Sequence, residues 1–241
     1  MNLEQSVICR HRKDILIFIA RRILTPFLLF CIINFCALEK DDIGSLHCLV
    51  ITSVPFEGDR LSFYPFLLHI ALCLYLIYRA TYISGEQFQM RNYIFTRTTR
   101  QKSALLLTKR GCEKIAILLF TKILADLLFV RINNQLNFTL FIVLQLSIYI
   151  TTTIWLLTDY ALKLCGGSSR FTFFIISICT IICSILCKNF PALTIFTIAS
   201  QSLIHTPLPY IAGKIFFTGC TIIFIMLRSK RYEVLGKEEN E

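Results

Sequence analysis

The stretch FTLFIVLQLSIYITTTIWLLT, residues Phe138–Thr158, runs for 21 residues without a charged side chain. As an α-helix it would be about 32 Å long, which matches the roughly 30 Å hydrocarbon core of a bilayer. A polar segment, Arg131–Asn137, precedes it, and Asp159 follows it. We therefore predict that this stretch crosses a membrane, and the remainder of the chain is interpreted around it.

Five further apolar runs flank this stretch: Ile23–Leu38, Leu61–Tyr78, Ile115–Val130, Phe171–Cys187 and Ile211–Leu227. Of the 241 residues, 55% are hydrophobic and only 17% are charged. A soluble domain carries about 25% charged residues. The sequence therefore predicts an all-α integral membrane protein with six transmembrane helices, built as a single domain over residues 1–241.

The basic residues are unevenly shared between the segments that join these runs. If both termini are cytoplasmic, 19 of the 25 Lys and Arg residues are inside, Lys122 lies within a span, and five are outside, namely Lys40, Arg60, Arg131, Lys188 and Lys214. Cytoplasmic loops are enriched in Lys and Arg, so the count predicts a multi-pass protein with both termini inside. The composition is rich in Ile, Phe and Lys and there is no transit peptide, which predicts that the membrane is a bacterial inner membrane.

The net charge of +10 is explained by the same membrane-flanking residues. Anionic lipid headgroups attract such residues, so we expect membrane lipids as partners and no nucleic acid. The four histidines fall in four different segments, and Cys179, Cys183 and Cys187 share a helix face without a His or carboxylate partner. This pattern favours packing over a metal site. No cofactor is expected.

The chain has no phosphate-binding G-x-x-x-x-G-K-[ST] motif and no H-E-x-x-H or G-x-S-x-G motif. We therefore predict no catalytic residue and no enzyme activity, and any ATP-driven step must come from a partner.

Three polar residues within predicted spans are candidate site residues. His69 is mid-span, where it is either functional or part of an interhelical hydrogen bond. Lys122 and Asp126 are four residues apart, which lets them face each other on one helix. They are interpreted either as a proton or ion relay or as a self-neutralised pair.

Four segments outside the spans complete the predicted organisation. They are an N-terminal interfacial helix in residues 1–22, a basic cytoplasmic loop with a short amphipathic helix in residues 79–114, an outer apolar hairpin in residues 188–210, and a charged cytoplasmic tail in residues 228–241. The hairpin contains Phe190, Pro191, Pro207 and Pro209, and is either re-entrant or interfacial because it is too short to cross twice.

This layout resembles the membrane subunit of six-span, type-2 ABC exporters, which work beside a separate ATPase. The local likeness is YIFTRTTRQKSALLLTK, residues 93–109, which is similar to the "aliphatic-R-x-x-S/R-R/K…K" stretch of bacteriocin and lantibiotic export or immunity permeases. The tryptophan that often follows the paired basic residues in those permeases is absent.

The resemblance implies roles for several segments. The loop helix would be a coupling helix that docks on the ATPase, with the basic residues Arg91, Arg97, Arg100, Lys102 and Lys109. Arg97 and Arg100 would make the main contact, although lipid headgroups are an equally good partner for them. The outer hairpin would cap the exit of the path, and spans two and five would face a second, identical or related permease. The cargo would be an antimicrobial peptide or a lipid.

Three other functions stay open at this point. The chain could be a non-transporting immunity or scaffold protein. It could be an ion-coupled transporter that uses Lys122 and Asp126. An intramembrane enzyme that depends on His69 is the third alternative.

Overall fold

The computed structural model describes residues 20–38, 56–57, 60–61, 63–95, 100–129, 138–198, 203 and 206–238. Within these ranges the chain forms six α-helices: α1 (Thr25–Leu38), α2 (Phe63–Phe95), α3 (Arg100–Phe129), α4 (Phe138–Leu164), α5 (Ser169–Leu186) and α6 (Pro207–Glu238). A π-helical turn (Ala20–Leu24) precedes α1, and a 3-10 helix (Pro191–Phe196) follows α5. Two short antiparallel strands, β1 (Phe56–Glu57) and β2 (Arg60–Leu61), pair before α2.

The helix α4, which contains the uncharged stretch Phe138–Thr158, lies at the centre of the bundle. It packs against α2, α3, α5 and α6, and 72% of its most apolar part, Phe141–Leu164, is buried. Several of its polar side chains are hydroxyls, and Thr152, for example, donates a hydrogen bond of 2.7 Å to the carbonyl of Ile148 on the same helix. Because such hydroxyls are satisfied locally, α4 can be largely buried although it carries polar side chains.

Four helices are long and apolar enough to cross a membrane. The apolar parts are Phe66–Gln89 of α2, Phe141–Leu164 of α4, Ser169–Leu186 of α5 and Pro207–Ser229 of α6. These helices support the prediction of a multi-pass membrane protein. The first predicted span falls on a shorter apolar helix, Arg22–Cys36, and the third falls on α3, where charged residues interrupt the apolar run.

The basic segment 79–114 differs from its prediction. Its residues form the end of α2 and the start of α3, and within the described part of the segment there is no separate short helix. The sequence from Glu86 to Phe95 contains neither proline nor glycine, so nothing stops α2 at the end of its apolar part. The two helices form a long antiparallel hairpin whose tip, residues 96–99, is not described.

The first helix begins irregularly, as Pro26 predicts. A proline lacks the N–H that would continue the α-helical ladder, and here the backbone widens to a π-helical turn just before it. The hydroxyl of Thr25 donates a hydrogen bond of 2.8 Å to the carbonyl of Ala20 across this turn. The predicted N-terminal interfacial helix lies outside the described residues, apart from residues 20–22.

The predicted outer hairpin, residues 188–210, is described only in part. Pro191–Phe196 form the 3-10 helix, Leu203 is helical, and the last helix begins at Pro207, inside the predicted hairpin. Pro207 and Pro209 therefore lie in the first turn of α6, where proline is tolerated because those N–H groups have no helical partner. At its other end α6 runs to Glu238, so most of the predicted tail is helical.

A tight turn, residues 165–168, joins α4 to α5. Gly166 has a φ of 91°, which is the left-handed region that residues with a Cβ adopt at a cost. The next glycine is limited by space, because a Cβ on Gly167 would lie 3.1 Å from the carbonyl oxygen of Leu162. The turn therefore requires glycine at both positions, for two different reasons.

We expect Gly166→Ala to lower the free energy of unfolding by about 1–2 kcal/mol, because an added Cβ at this position meets no neighbour but strains the backbone. Thermal unfolding of the purified chain in detergent, followed by circular dichroism, measures the change. The matched control is Gly219→Ala in α6, where a Cβ also meets nothing within 4 Å and alanine favours the helix. Equal effects of the two substitutions would contradict the assignment.

Candidate functional site

Three buried polar clusters lie inside the apolar bundle, and the first is centred on Asp126. The ammonium of Lys122 donates a hydrogen bond of 2.5 Å to Asp126 Oδ2, and both side chains are almost fully buried. The amide of Gln145 donates to the same oxygen at 2.6 Å, and the amide of Asn34 donates to Oδ1 at 3.0 Å. The two predicted residues thus form an ion pair, extended by two amides from α1 and α4.

This arrangement bears on the two interpretations of Lys122 and Asp126. A buried carboxylate requires donors for its lone pairs, and here three donors from three helices supply them. The pairing favours a self-neutralised junction over an open relay. Asn34 and Gln145 were not predicted as site residues. Each is an amide inside a predicted span, and that feature could have identified them.

A second buried ion pair lies near the α4–α5 turn. Lys163 Nζ is 2.6 Å from Asp159 Oδ2, and Thr172 of α5 donates to Asp159 Oδ1 at 2.5 Å. Lys163 also donates to the carbonyl of Thr81 in α2 at 3.2 Å, and Gly85 leaves room for its ammonium there. Both charged residues were predicted to lie in a loop, but α4 continues through them to Leu164.

His69 lies in an interhelical hydrogen bond, the second of its two interpretations. Its Nε2 is 3.2 Å from the hydroxyl of Ser184 in α5 and 3.5 Å from the sulfur of Cys73, one turn along α2. All three side chains are buried. The contact joins α2 to α5.

Lys214 is the centre of the third cluster, and the sequence analysis counted it with the outer segment. In the structure it is fully buried in α6. Its ammonium donates to the hydroxyls of Ser147 at 2.8 Å and Thr151 at 2.6 Å, and to the carbonyl of Thr197 at 2.5 Å. No salt bridge to Lys214 is found among the described residues.

The groups that accept hydrogen bonds from Lys214 explain why a lysine lies at this buried position. Thr197 and Ile198 follow the 3-10 helix and are buried, so their carbonyls need donors from outside the segment. Lys214 and Thr151 donate to Thr197 O, and Ser147 donates to Ile198 O at 2.5 Å. The cluster therefore fastens the segment after α5 to α4 and α6. The sequence feature that could have predicted this cluster is the lysine inside the apolar run of the last predicted span.

A cluster of one acidic and two basic side chains lies at the surface, toward the end of the bundle where α2 ends and α3 begins. The carboxylate of Glu86 in α2 is 3.0 Å from Arg22, beside α1, and 2.6 Å from Lys114 in α3. All three side chains are about one quarter exposed. Glu86 is one of two acids, with Glu113, in a segment that was interpreted from its basic residues, and it was therefore not predicted as a site residue.

Four of the five predicted coupling residues lie in α2 or α3, on either side of residues 96–99. Arg91 belongs to α2 and Arg100 to α3, but their side chains are outside the described part of the structure. Lys102 and Lys109 are exposed on the first turns of α3. Arg97 lies outside the described residues.

The predicted outer-hairpin residues are divided between two elements. Phe190 and Pro191 are exposed at the start of the 3-10 helix, while Phe196, at its end, packs edge-on against Phe217 of α6 with 4.9 Å between ring centroids. Pro207 and Pro209 belong to α6 instead.

Within the described ranges, no group of three or more His, Cys, Asp and Glu side chains is placed to hold a metal ion. The cysteines described are free thiols.

Comparison with known proteins does not assign the chain to a family: no protein-family model matches it, and no curated protein or solved structure matches it.

We expect Asp126→Asn to lower the free energy of unfolding by about 3–5 kcal/mol, because Lys122 then remains buried without its carboxylate. The double variant Lys122→Met/Asp126→Asn should recover most of the loss. Glu113→Gln, an exposed acid on the same helix, is the control and should change stability by less than about 0.5 kcal/mol. A loss below 1 kcal/mol for Asp126→Asn would show that the cluster is not needed for packing.

Lys214→Met should loosen the segment after α5, because the carbonyl of Thr197 loses its ammonium donor. We expect hydrogen–deuterium exchange of peptides covering residues 190–198 to become at least tenfold faster, which corresponds to about 1.4 kcal/mol of lost protection. The control is Lys188→Met, which removes an exposed lysine next to the same segment. If both variants exchange at the wild-type rate, Lys214 does not hold the segment.

Proposed function

We propose that this chain is the membrane-spanning permease subunit of an ATP-driven exporter of the six-span, type-2 ABC class. It would lie in a bacterial cell membrane with six spans and both termini in the cytoplasm. It supplies the path and the coupling, and a separate ATPase supplies the energy. The proposed cargo is hydrophobic or amphipathic, such as an antimicrobial peptide or a lipid.

The α2–α3 hairpin is the observation that carries this proposal. The apolar part of α2 ends at Gln89, but the helix continues to Phe95, roughly 9 Å further at 1.5 Å per residue. α3 returns from Arg100 as a continuous helix, and Lys102 and Lys109 are exposed near its start. A stiff hairpin of this kind can pass the movement of a docked partner into the bundle as a rigid body.

The opposite end of the bundle supports the second half of the proposal. The segment around the 3-10 helix packs against α4 and α6 and is held by the hydrogen bond from Lys214 to Thr197. In an exporter this segment would cap the exit of the path, and its polar fastening would be the contact that opens. The geometry is compatible with a re-entrant segment, because buried irregular backbone at membrane depth requires protein donors.

A second permease would cover the surface of α5. Phe174, Ile178 and Ile182 are exposed at intervals of four residues, which places them in one row along the helix. In the proposal this row and the exposed part of α2 face the partner permease, and lipid covers the remaining apolar surface.

Ion-coupled transport is the second candidate, favoured by the buried pairs Lys122–Asp126 and Asp159–Lys163. Each carboxylate already accepts a bond from at least one uncharged side chain besides its lysine. Such groups are held in place by several partners, which favours a packing role. Transport driven by an ion gradient without ATP would support the ion-coupled candidate instead.

The deciding experiment is purification of the tagged chain from its native host in mild detergent, with the bound proteins identified by mass spectrometry. We expect a stoichiometric ATPase that carries a phosphate-binding loop. Arg97→Glu/Arg100→Glu should reduce its recovery at least tenfold, because two charge reversals at the tip repel the same surface.

Two control variants accompany this experiment. Arg97→Lys/Arg100→Lys keeps the charge and should retain most of the ATPase, and Lys188→Glu changes an exposed charge at the opposite end of α5 without effect. Recovery of the chain alone, or only with itself, would sink the exporter proposal and favour a non-transporting immunity or scaffold protein.

A further inference from the structure

A groove of about 430 Å³ opens between α2 and α5. One wall carries Tyr78, Tyr82, Glu86 and Gln89 of α2, and the other carries Arg170 and Phe173 of α5. The two tyrosines and Arg170 are exposed, so the groove is open to its surroundings. Its lining combines aromatic rings toward the middle of the helices with charged and amide groups toward their ends.

The polar end of the groove has an excess of positive charge. The one carboxylate in the lining, Glu86, is already bonded by Arg22 and Lys114. A third cation, Arg79, lies 5.9 Å from the ring centroid of Tyr82. Arg170 makes no ion pair within the described part of the chain. Arg22, Arg79 and Lys114 line a neighbouring recess, where two of them neutralise Glu86. Arg170 is the cation in the groove lining itself, which favours an anionic occupant over a cationic one.

The depth of the groove indicates what kind of anion reaches it. Gln89 is the last residue of the apolar part of α2, and Ser169 and Arg170 begin the apolar part of α5. The polar end therefore lies where the spans leave the hydrocarbon, at the level of the lipid headgroups. Tyr82 and Tyr78 lie about two and three turns deeper along α2, at the depth of the acyl chains.

We propose that this groove binds one anionic phospholipid, with its phosphate at Arg170 and an acyl chain along Tyr78 and Phe173. The guanidinium of Arg170 presents paired N–H donors that fit two phosphate oxygens. Basic recesses between spans at the cytoplasmic side of a membrane hold lipid headgroups in this way. The site is independent of the α2–α3 tip and of any ATPase.

The test is lipid-dependent thermal stability of the full-length chain in detergent. We expect phosphatidylglycerol to raise the unfolding temperature in a saturable manner and phosphatidylcholine to have little effect, because only the first carries a net negative headgroup. Arg170→Gln should increase the half-saturating concentration of phosphatidylglycerol about tenfold, the effect of losing roughly one charge-assisted hydrogen bond. Arg170 is exposed, so this variant is expected to fold.

Lys188→Gln, at the opposite end of α5, is the matched control and should bind phosphatidylglycerol like the wild type. Equal weakening in both variants would overturn the proposal, because it would indicate diffuse attraction to the whole surface. Stabilisation by inorganic phosphate at the same concentration would also overturn it, since the ligand would then be a free anion. Lysophosphatidylglycerol, with one acyl chain, should bind as well as the two-chain lipid.

Discussion

The carboxylate of Asp126 is the point at which three helices are joined. It accepts hydrogen bonds from Lys122 on its own helix, Asn34 on α1 and Gln145 on α4. A carboxylate in an apolar interior has no water to solvate it, so all of its donors must come from protein. These hydrogen bonds fix the positions of α1 and α4 relative to α3. Because α1 is short and has an exposed outer face, this polar contact and the Arg22–Glu86 pair hold it at both ends.

The same physical constraint explains the lysine in α6. The chain enters the bundle through a 3-10 helix and leaves buried carbonyls that no helix ladder can satisfy. Lys214 reaches one of these carbonyls directly, and Ser147 reaches the next. A charged side chain at this depth costs about 2.5–3.5 kcal/mol on insertion scales, and the hydrogen bonds offset part of that amount. The irregular segment and the buried cation therefore depend on each other.

The charged residues near the end of the bundle where α2 ends and α3 begins differ from the Asp126 and Lys214 clusters, because they are not buried. Glu86, Arg22 and Lys114 are partly exposed, and Lys102 and Lys109 are exposed near the start of α3. Such residues meet headgroups, water or a partner protein, and they contribute little to packing. The bundle thus has polar groups of two kinds: internal ones that join helices, and surface ones at one end that are available for binding.

The sequence by itself predicted a helical, multi-pass membrane protein from long uncharged runs such as Phe138–Thr158, and the described helices are compatible with that prediction. It also predicted the Lys122–Asp126 pair, since residues four apart on one helix are neighbours whatever the fold. Helix ends were less predictable: α2 continues past its apolar part, and α6 begins at a proline that looked like a loop residue. Hydropathy marks where a helix enters lipid, not where its hydrogen-bond ladder stops.

Only the tertiary structure decided which distant groups meet. Asn34 and Asp126 are 92 residues apart, and Lys214 reaches Ser147 across 67 residues. No local pattern encodes these pairings, because they depend on how the helices are arranged around α4. An amide or a lysine in an apolar run indicates that a partner is required. The packing of the bundle decides which side chain that partner is.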